Sequence, residues 1–128
     1  MWPSPQDRTA ASAVAKEFMA ALIARHFGRL CDLRSSLTIQ GQSRQACIAG
    51  MEKSIGRGPD IVGGSLSGPG SEWGYPSLSL RTMEWFQPVT FKVREQSGVV
   101  VNETSTLALI KQAEAWRVDG VAPFKRAS

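Results

Sequence analysis

Cysteine is the residue type with the clearest potential for covalent or metal chemistry in this 128-residue chain, which contains Cys31 and Cys47. Their spacing differs from the close pairs of zinc sites, and His26 is the only histidine that could complete a ligand set. We therefore expect no metal and no cofactor. The two thiols could join in a disulfide, or they could stay free and pack as small apolar side chains in a reducing compartment.

Acid–base catalysis would have to rely on very few residues. It requires a side chain whose pKa lies near the working pH and a donor that faces the developing charge. His26 is expected on the first helix, in a packing or surface role. Asp119 should point to the opposite face of its strand from Trp116, and Tyr75, the only tyrosine, falls in an irregular segment. The sequence predicts no active site, and hence a protein that is not an enzyme.

The charged residues are spread along the chain. Lys and Arg number 15 against 11 Asp and Glu, which gives a net charge of +4, and no basic run exceeds two residues. Because nucleic-acid binders usually concentrate their cations in a stripe, we expect no nucleic-acid partner. The composition, 42% hydrophobic and 20% charged, is typical of one globular domain, which we place over residues 1–128.

Membrane and export signals are weak. The longest strongly apolar stretch, residues 18–23, is far shorter than the roughly 20 residues that span a bilayer. The N-terminus lacks the charged start and apolar core of a signal peptide. We expect no transmembrane segment, and either a cytoplasmic protein or one whose targeting segment has been removed.

The first half of the chain has the apolar spacing of helices. Apolar residues recur at intervals of three and four over residues 11–23, which predicts an amphipathic helix capped by Ser4 or Asp7 and stopped or kinked at Gly28. A short second helix and a third helix that begins at Ser43 should follow.

The second half alternates with the period of strands. The alternation covers residues 89–94 and 116–119, with a Thr-rich apolar stretch at residues 99–110 between them. Turns at residues 96–98 and 112–114 would join these strands as antiparallel hairpins.

The segment between the two halves is rich in glycine. Residues 63–74 favour a loop or a weak edge strand, because glycine loses much conformational freedom in a strand ladder. Leu78 and Leu80 suggest another strand. Helices followed by a meander predict an α+β fold, with N-terminal helices packed on a curved antiparallel sheet.

This order of elements resembles the NTF2-like superfamily. The resemblance rests on Ala-x-x-Phe-Met-x-Ala-Leu at residues 15–22 and on Leu-Ala-Leu-Ile-Lys…Ala-Trp-Arg-Val-Asp-Gly-Val at residues 107–121. It implies a cone in which the sheet wraps over the long first helix. Enzymes of the superfamily, such as those of ketosteroid-isomerase and polyketide-cyclase type, place an acid or histidine with a tyrosine inside the cone.

A further likeness concerns small extracytoplasmic bacterial members of unassigned function. Leu-Cys-Asp-Leu at residues 30–33 and Gln-Ala-Cys at residues 45–47 match their pattern of one cysteine after the first helix that faces another at the start of the third. The resemblance implies a disulfide between Cys31 and Cys47. It also implies an extracytoplasmic location, secreted or membrane-anchored, with the targeting segment absent from this chain.

The functional hypothesis that follows is a non-catalytic, exported binding or assembly domain. Its partner would be an unknown protein or small-molecule ligand, and it could form a homodimer through the sheet. One alternative is a small-molecule-binding NTF2-like enzyme or carrier with a pocket lined by Phe18, Phe91 and Trp116. Another is a scaffold domain of a cell-envelope secretion or conjugation complex.

Overall fold

The computed structural model describes residues 4–35, 41–56, 60–71, 84–122 and 125–126. Three helices precede the strands, in the order α1 (Pro5–Ala24), α2 (Phe27–Asp32), α3 (Arg44–Gly56), β1 (Asp60–Leu66), β2 (Glu84–Arg94), β3 (Val100–Gln112), β4 (Ala115–Val121) and β5 (Lys125–Arg126). The predicted fold class, α+β with helices packed on a curved antiparallel sheet, is confirmed.

Both ends of α1 are set by local contacts. The Ser4 hydroxyl oxygen accepts from the Asp7 N–H at 3.1 Å, and the Asp7 carboxylate accepts from the Ser4 N–H at 3.1 Å, which is a reciprocal capping box. The helix ends at Ala24 because Arg25 adopts the left-handed conformation with φ of 58°. The expected stop at Gly28 is therefore wrong, since that glycine lies inside α2.

Helix α3 packs on α2 and begins where the sequence predicts. The Ser43 hydroxyl accepts from the Ala46 N–H at 3.1 Å, which satisfies one of the free amides at the helix start. Met51 and Ile55, on later turns, pack against the main core.

The sheet has the order β1-β2-β3-β4, and β5 pairs with β3 beyond the end of β4. All these pairs are antiparallel. The predicted turns join β2 to β3 and β3 to β4. The second turn is a two-residue loop, Ala113-Glu114, in which both residues have positive φ, 46° and 66°. A hairpin turn with two left-handed residues normally uses asparagine or glycine, so this loop is strained.

The glycine-rich segment contains an edge strand, which was one of the two predicted alternatives, a loop or a weak edge strand. Strand β1 pairs only with β2 among the described residues and starts at Asp60, before the glycines. Residues 72–74 lie outside the described part of the chain, as do Leu78 and Leu80 with the strand predicted there.

The loop that follows β1 is held against β2. The buried Gln87 amide donates to the Gly68 carbonyl at 2.8 Å. A methyl group on Gly70 would lie only 2.0 Å from the Trp85 indole nitrogen, so residue 70 must be glycine for the loop to cover that ring.

The core lies between α1 and the inner face of the sheet. Alternate residues of β2 face α1, as the sequence period predicts. The cluster is completed by buried side chains from α1, α2, β3 and β4, which include Phe18, Met19, Leu22, Leu30, Leu33, Leu107, Leu109, Trp116 and Val118. The inner face of the sheet is therefore filled by side chains along α1.

Candidate binding sites

The three residues predicted to line a pocket lie in the packed core instead. Phe18, Phe91 and Trp116 are 3%, 0% and 3% exposed and belong to one apolar cluster. Neither of the two concavities described below is lined by any of them. The buried side chains of this cluster fill the space between α1 and the sheet.

Cys31 and Cys47 form a disulfide that joins α2 to α3, with their α-carbons 6.0 Å apart. Both side chains are buried. An ion pair reinforces the link, because the Arg44 Nε donates to Asp32 Oδ1 at 2.9 Å. This contact lowers the pKa of Asp32 through the charged hydrogen bond from Arg44.

The free side of β4 is closed by the segment that leaves α2. The Val118 N–H donates to the Leu33 carbonyl at 2.7 Å, and the Ser35 N–H donates to the Val118 carbonyl at 2.9 Å. These bonds form a short parallel bridge between Arg34 and Val118. The backbone groups of Val118 that face away from β3 are thus satisfied.

A polar cluster surrounds this closure. The buried Ser35 hydroxyl donates to Asp119 Oδ1 at 2.8 Å. Burial lowers the pKa of Arg34, and the negative charge of Asp119 partly offsets that shift. Burial also raises the pKa of Glu84, and the charge of Asp119 raises it further. A cation and two carboxylates therefore share a partly desolvated region at the start of β2 and the end of β4.

His26 and Asp119, the two residues considered for acid–base chemistry, lie in different places. His26 is exposed and precedes α2, rather than lying on the first helix as predicted. Its neighbour Arg25 pairs with Asp60, which also pairs with Arg94 at the end of β2, whereas Asp119 acts on Glu84 at the start of β2. Tyr75 lies outside the described residues. The described contacts do not bring the two together.

A pocket of about 560 Å³ lies between α2 and the β3–β4 hairpin. Its charged lining residues are Arg34, Arg117 and Asp32, and Cys31 of the disulfide forms part of its wall. Asp32 is already paired with Arg44, and the charge of Asp119 acts on Arg34, so Arg117 is the lining cation without an ion pair to the described residues.

A second concavity, of about 430 Å³, runs between α1 and β1. Met19, Ala20 and Ile23 of α1 face Leu66 of β1 across it, and Lys16 lies in its wall. We call it the α1–β1 groove.

Two searches of the described residues found nothing further. No group of three or more His, Cys, Asp or Glu side chains there could hold a metal ion. No helix in the same ranges is both long and apolar enough to cross a membrane.

Sequence reasoning missed Arg34, Ser35 and Arg117 as site residues. Ser35 contacts Asp119 across a separation of 84 residues, and no periodic pattern reports such a contact. A signal did exist for Arg117: it is the polar residue that alternates between the buried Trp116 and Val118.

Comparisons with known proteins give the fold but no family. No protein-family model and no curated protein sequence matches the chain. Among solved structures, Aln2 from a Streptomyces species superposes with a TM-score of 0.62 at 15% identity, over 98% of this chain and 94% of that one.

Two other solved structures are similar. A SEC-C motif-containing protein from Rhodopseudomonas palustris superposes with a TM-score of 0.59 at 17% identity, over 91% of this chain and 81% of its own. A putative calcium/calmodulin-dependent protein kinase II association domain from Xanthomonas campestris gives 0.57 at 14% identity, over 99% and 92%. These likenesses and the curled sheet define an α+β fold consistent with the cone of NTF2-like domains.

Proposed function

We propose that this chain is a non-catalytic binding module that acts outside the reducing cytosol and holds an anionic group of its ligand in the pocket between α2 and the β3–β4 hairpin. The observation that carries the proposal is the pair of arginines, Arg34 and Arg117, in the wall of that pocket.

The arginines favour a carboxylate over a neutral group. Arg34 is half-buried, and this burial lowers the pKa of its guanidinium. The charge of Asp119 partly offsets that shift, and a planar guanidinium such as that of Arg117 can give a carboxylate two parallel hydrogen bonds. Arg117 makes no ion pair with the described residues and is placed to add a second cation.

The non-catalytic assignment is supported by the interior. In NTF2-like enzymes the reacting groups face the inside of the cone, but here the side chains of that face pack against α1. His26 is exposed at the α1–α2 junction, away from that face.

The location outside the cytosol is supported by the disulfide between α2 and α3. Structural disulfides persist in oxidising compartments and are rare in the cytosol, where thiols are kept reduced.

The pocket is tested by titrating the oxidised protein with dicarboxylates from succinate to adipate. Binding is measured from the changes in amide chemical shifts. We expect shifts in the amides of Arg117 and Ala115, and an affinity at least about tenfold weaker in Arg117→Gln, since a charged hydrogen bond contributes about 1.5–3 kcal/mol. Lys53→Gln, on the exposed side of α3, should leave the affinity unchanged.

Equal affinity of the two variants, or shifts confined to other regions, would contradict the pocket assignment. His26→Ala should leave both affinity and any associated activity within about twofold of wild type. A loss of activity of a hundredfold or more in a folded His26→Ala protein would show that the module is an enzyme.

A further inference from the structure

The outer edge of β1 carries backbone groups that no described strand uses. The Ser67 N–H donates to the Pro88 carbonyl at 3.0 Å, so Ser67 and Pro88 occupy a hydrogen-bonded position of the ladder, with one bond because proline has no N–H. In an antiparallel ladder, hydrogen-bonded positions recur at every second residue. The N–H and C=O groups of Gly63 and Ser65 therefore point toward β2, as those of Ser67 do. The N–H and C=O groups of Gly64 and Leu66 therefore point away from the sheet.

This open edge is short and has a defined beginning. The register with β2 shifts between Ile61 and Gly63, which leaves Val62 as a bulge residue with 36% exposure. The regular part runs from Gly63 to Leu66. A bulge limits edge-to-edge pairing, so an added strand could pair continuously only along these four residues.

The α1–β1 groove lies beside the same edge. Gly64 and Leu66, whose backbone groups point outward, also line this groove together with Met19 and Ile23 of α1. Successive side chains of a strand point to opposite faces, so every second side chain of an added strand would face the groove. The groove would favour apolar side chains there, because its α1 wall is mainly apolar.

Positive charge lies on both faces of this edge. Lys16 lines the groove, and the Lys92 side chain crosses Gly63, with its Cδ 3.5 Å from where a β-carbon would lie. The nearby carboxylate of Asp60 is already shared by Arg25 and Arg94. Neither lysine has an ion pair with the described residues, and carboxylates on the side of an added strand that faces away from the groove would complement Lys92.

We propose that β1 receives an extended acidic segment of a partner protein, which adds to the sheet as a further strand at Gly63–Leu66 and places alternate apolar side chains in the α1–β1 groove. This mode of recognition takes its affinity from main-chain hydrogen bonds and its specificity from alternate side chains. It uses a different surface from the arginine-lined pocket and does not depend on it.

The probe is a fluorescein-labelled peptide of nine alternating Glu and Val residues, with binding followed by fluorescence anisotropy at low salt. We expect the same peptide with Lys in place of Glu to bind at least about tenfold more weakly. Lys92→Glu, on the face that the Glu side chains meet, should weaken the acidic peptide about tenfold, Lys16→Glu in the groove should weaken it less, and Lys53→Glu on α3 should change its affinity less than twofold. Circular dichroism confirms that each variant is folded.

Two N-methylated versions of the acidic peptide test the backbone pairing directly. The first version carries methyl groups on the backbone nitrogens of the odd-numbered residues, and the second carries them on those of the even-numbered residues. Each version therefore lacks the N–H donors along one edge of the extended peptide. We expect one version to bind and the other to lose at least tenfold.

The proposal is overturned if the acidic peptide fails to bind the oxidised protein at 1 mM, or if both methylated peptides bind as well as the parent. Wild-type affinity in Lys92→Glu overturns the charge argument. A dimer in light scattering that the acidic peptide does not dissociate would show that a second copy of the chain occupies the edge instead.

Discussion

At the β4 edge, Leu33 and Ser35 exchange backbone hydrogen bonds with Val118, whereas at the β1 edge the outward groups of Gly64 and Leu66 have no such partner among the described residues. The helices beside the first edge are joined by the disulfide and by the ion pair between Arg44 and Asp32. The second is flanked by an apolar groove and two lysines. One edge of this sheet is used for stability, and the other is available for recognition.

The largest expected effect of substitution lies at the closed edge. Trp116→Ala should destabilise the protein by about 3–5 kcal/mol, because it removes a large buried side chain from β4. Val121→Ala, an exposed position on the same strand, should cost less than about 0.5 kcal/mol. Urea unfolding measures both, and an unchanged midpoint for Trp116→Ala would show that β4 does not anchor this edge.

Trp116→Phe refines that test. The Trp116 indole nitrogen is buried and has no hydrogen-bond partner in the described part of the chain, and an unsatisfied buried donor is itself destabilising. Phenylalanine keeps most of the apolar area and removes the donor, so its cost should be at least about 2 kcal/mol smaller than that of alanine. A cost above about 2 kcal/mol for Trp116→Phe would mean that the indole nitrogen has a partner in solution, because a lost buried hydrogen bond would then add to the small loss of area.

Removal of the disulfide should have the next largest effect. Cys31 and Cys47 are 16 residues apart in sequence, and the loss of a loop closure of this length costs about 3 kcal/mol in the chain-entropy model. The double variant Cys31→Ser/Cys47→Ser should show faster hydrogen exchange in α3 and at Ser35, with β1 and β2 changed only by the global loss of stability. An equal increase in the local exchange rates at both edges would contradict the proposal that the disulfide stabilises only the β4 edge.

Two neighbouring glycines give a matched test at the open edge. A β-carbon at Gly64 would lie 2.9 Å from both the Met19 methyl group and the Thr90 carbonyl, whereas one at Gly63 would lie 3.5 Å from Lys92. Gly64→Ala should cost about 1–3 kcal/mol through overpacking, and Gly63→Ala should be neutral or slightly stabilising. Thermal unfolding of the two variants distinguishes them, and a reversed order would show that α1 and β1 are packed differently.

The smallest effect concerns a contact between the start of α1 and the end of β3. The hydrogen bond from Lys111 and the backbone N–H of Ser4 lower the pKa of Asp7 from 3.8 to about 2. The folded-state pKa is depressed, so this stabilisation is complete above about pH 4 and is lost as the pH falls through 2. The stability difference between wild type and Asp7→Asn should shrink over that range, and a constant difference would contradict the contact.

The sequence predicts best the parts that local chemistry determines. Ser4 and Asp7 cap α1, and the alternation around Phe91 places β2 correctly, because each pattern depends on residues a few positions apart. Gly28 misled the assignment of the first helix, since Arg25 takes the left-handed conformation that glycine usually provides.

The candidate sites depend on contacts between distant segments. The pairing of Arg34 with Val118 and the hydrogen bond from Ser35 to Asp119 each join residues about 80 positions apart. The sequence also does not predict that the interior is filled. An apolar stripe such as that of Phe18 has the same pattern whether it lines a cavity or packs in a core.

The difference between the edges is measured most directly by amide hydrogen exchange of the oxidised protein, residue by residue. We predict that the amides of Ser35 and Val118 are protected, that the Ser65 amide is protected by its bond to β2, and that the amides of Gly64 and Leu66 exchange fast. Protection of Gly64 and Leu66 equal to that of Ser65 in the monomeric protein would mean that the β1 edge is already covered. That result would contradict the assignment of β1 as the edge available for recognition.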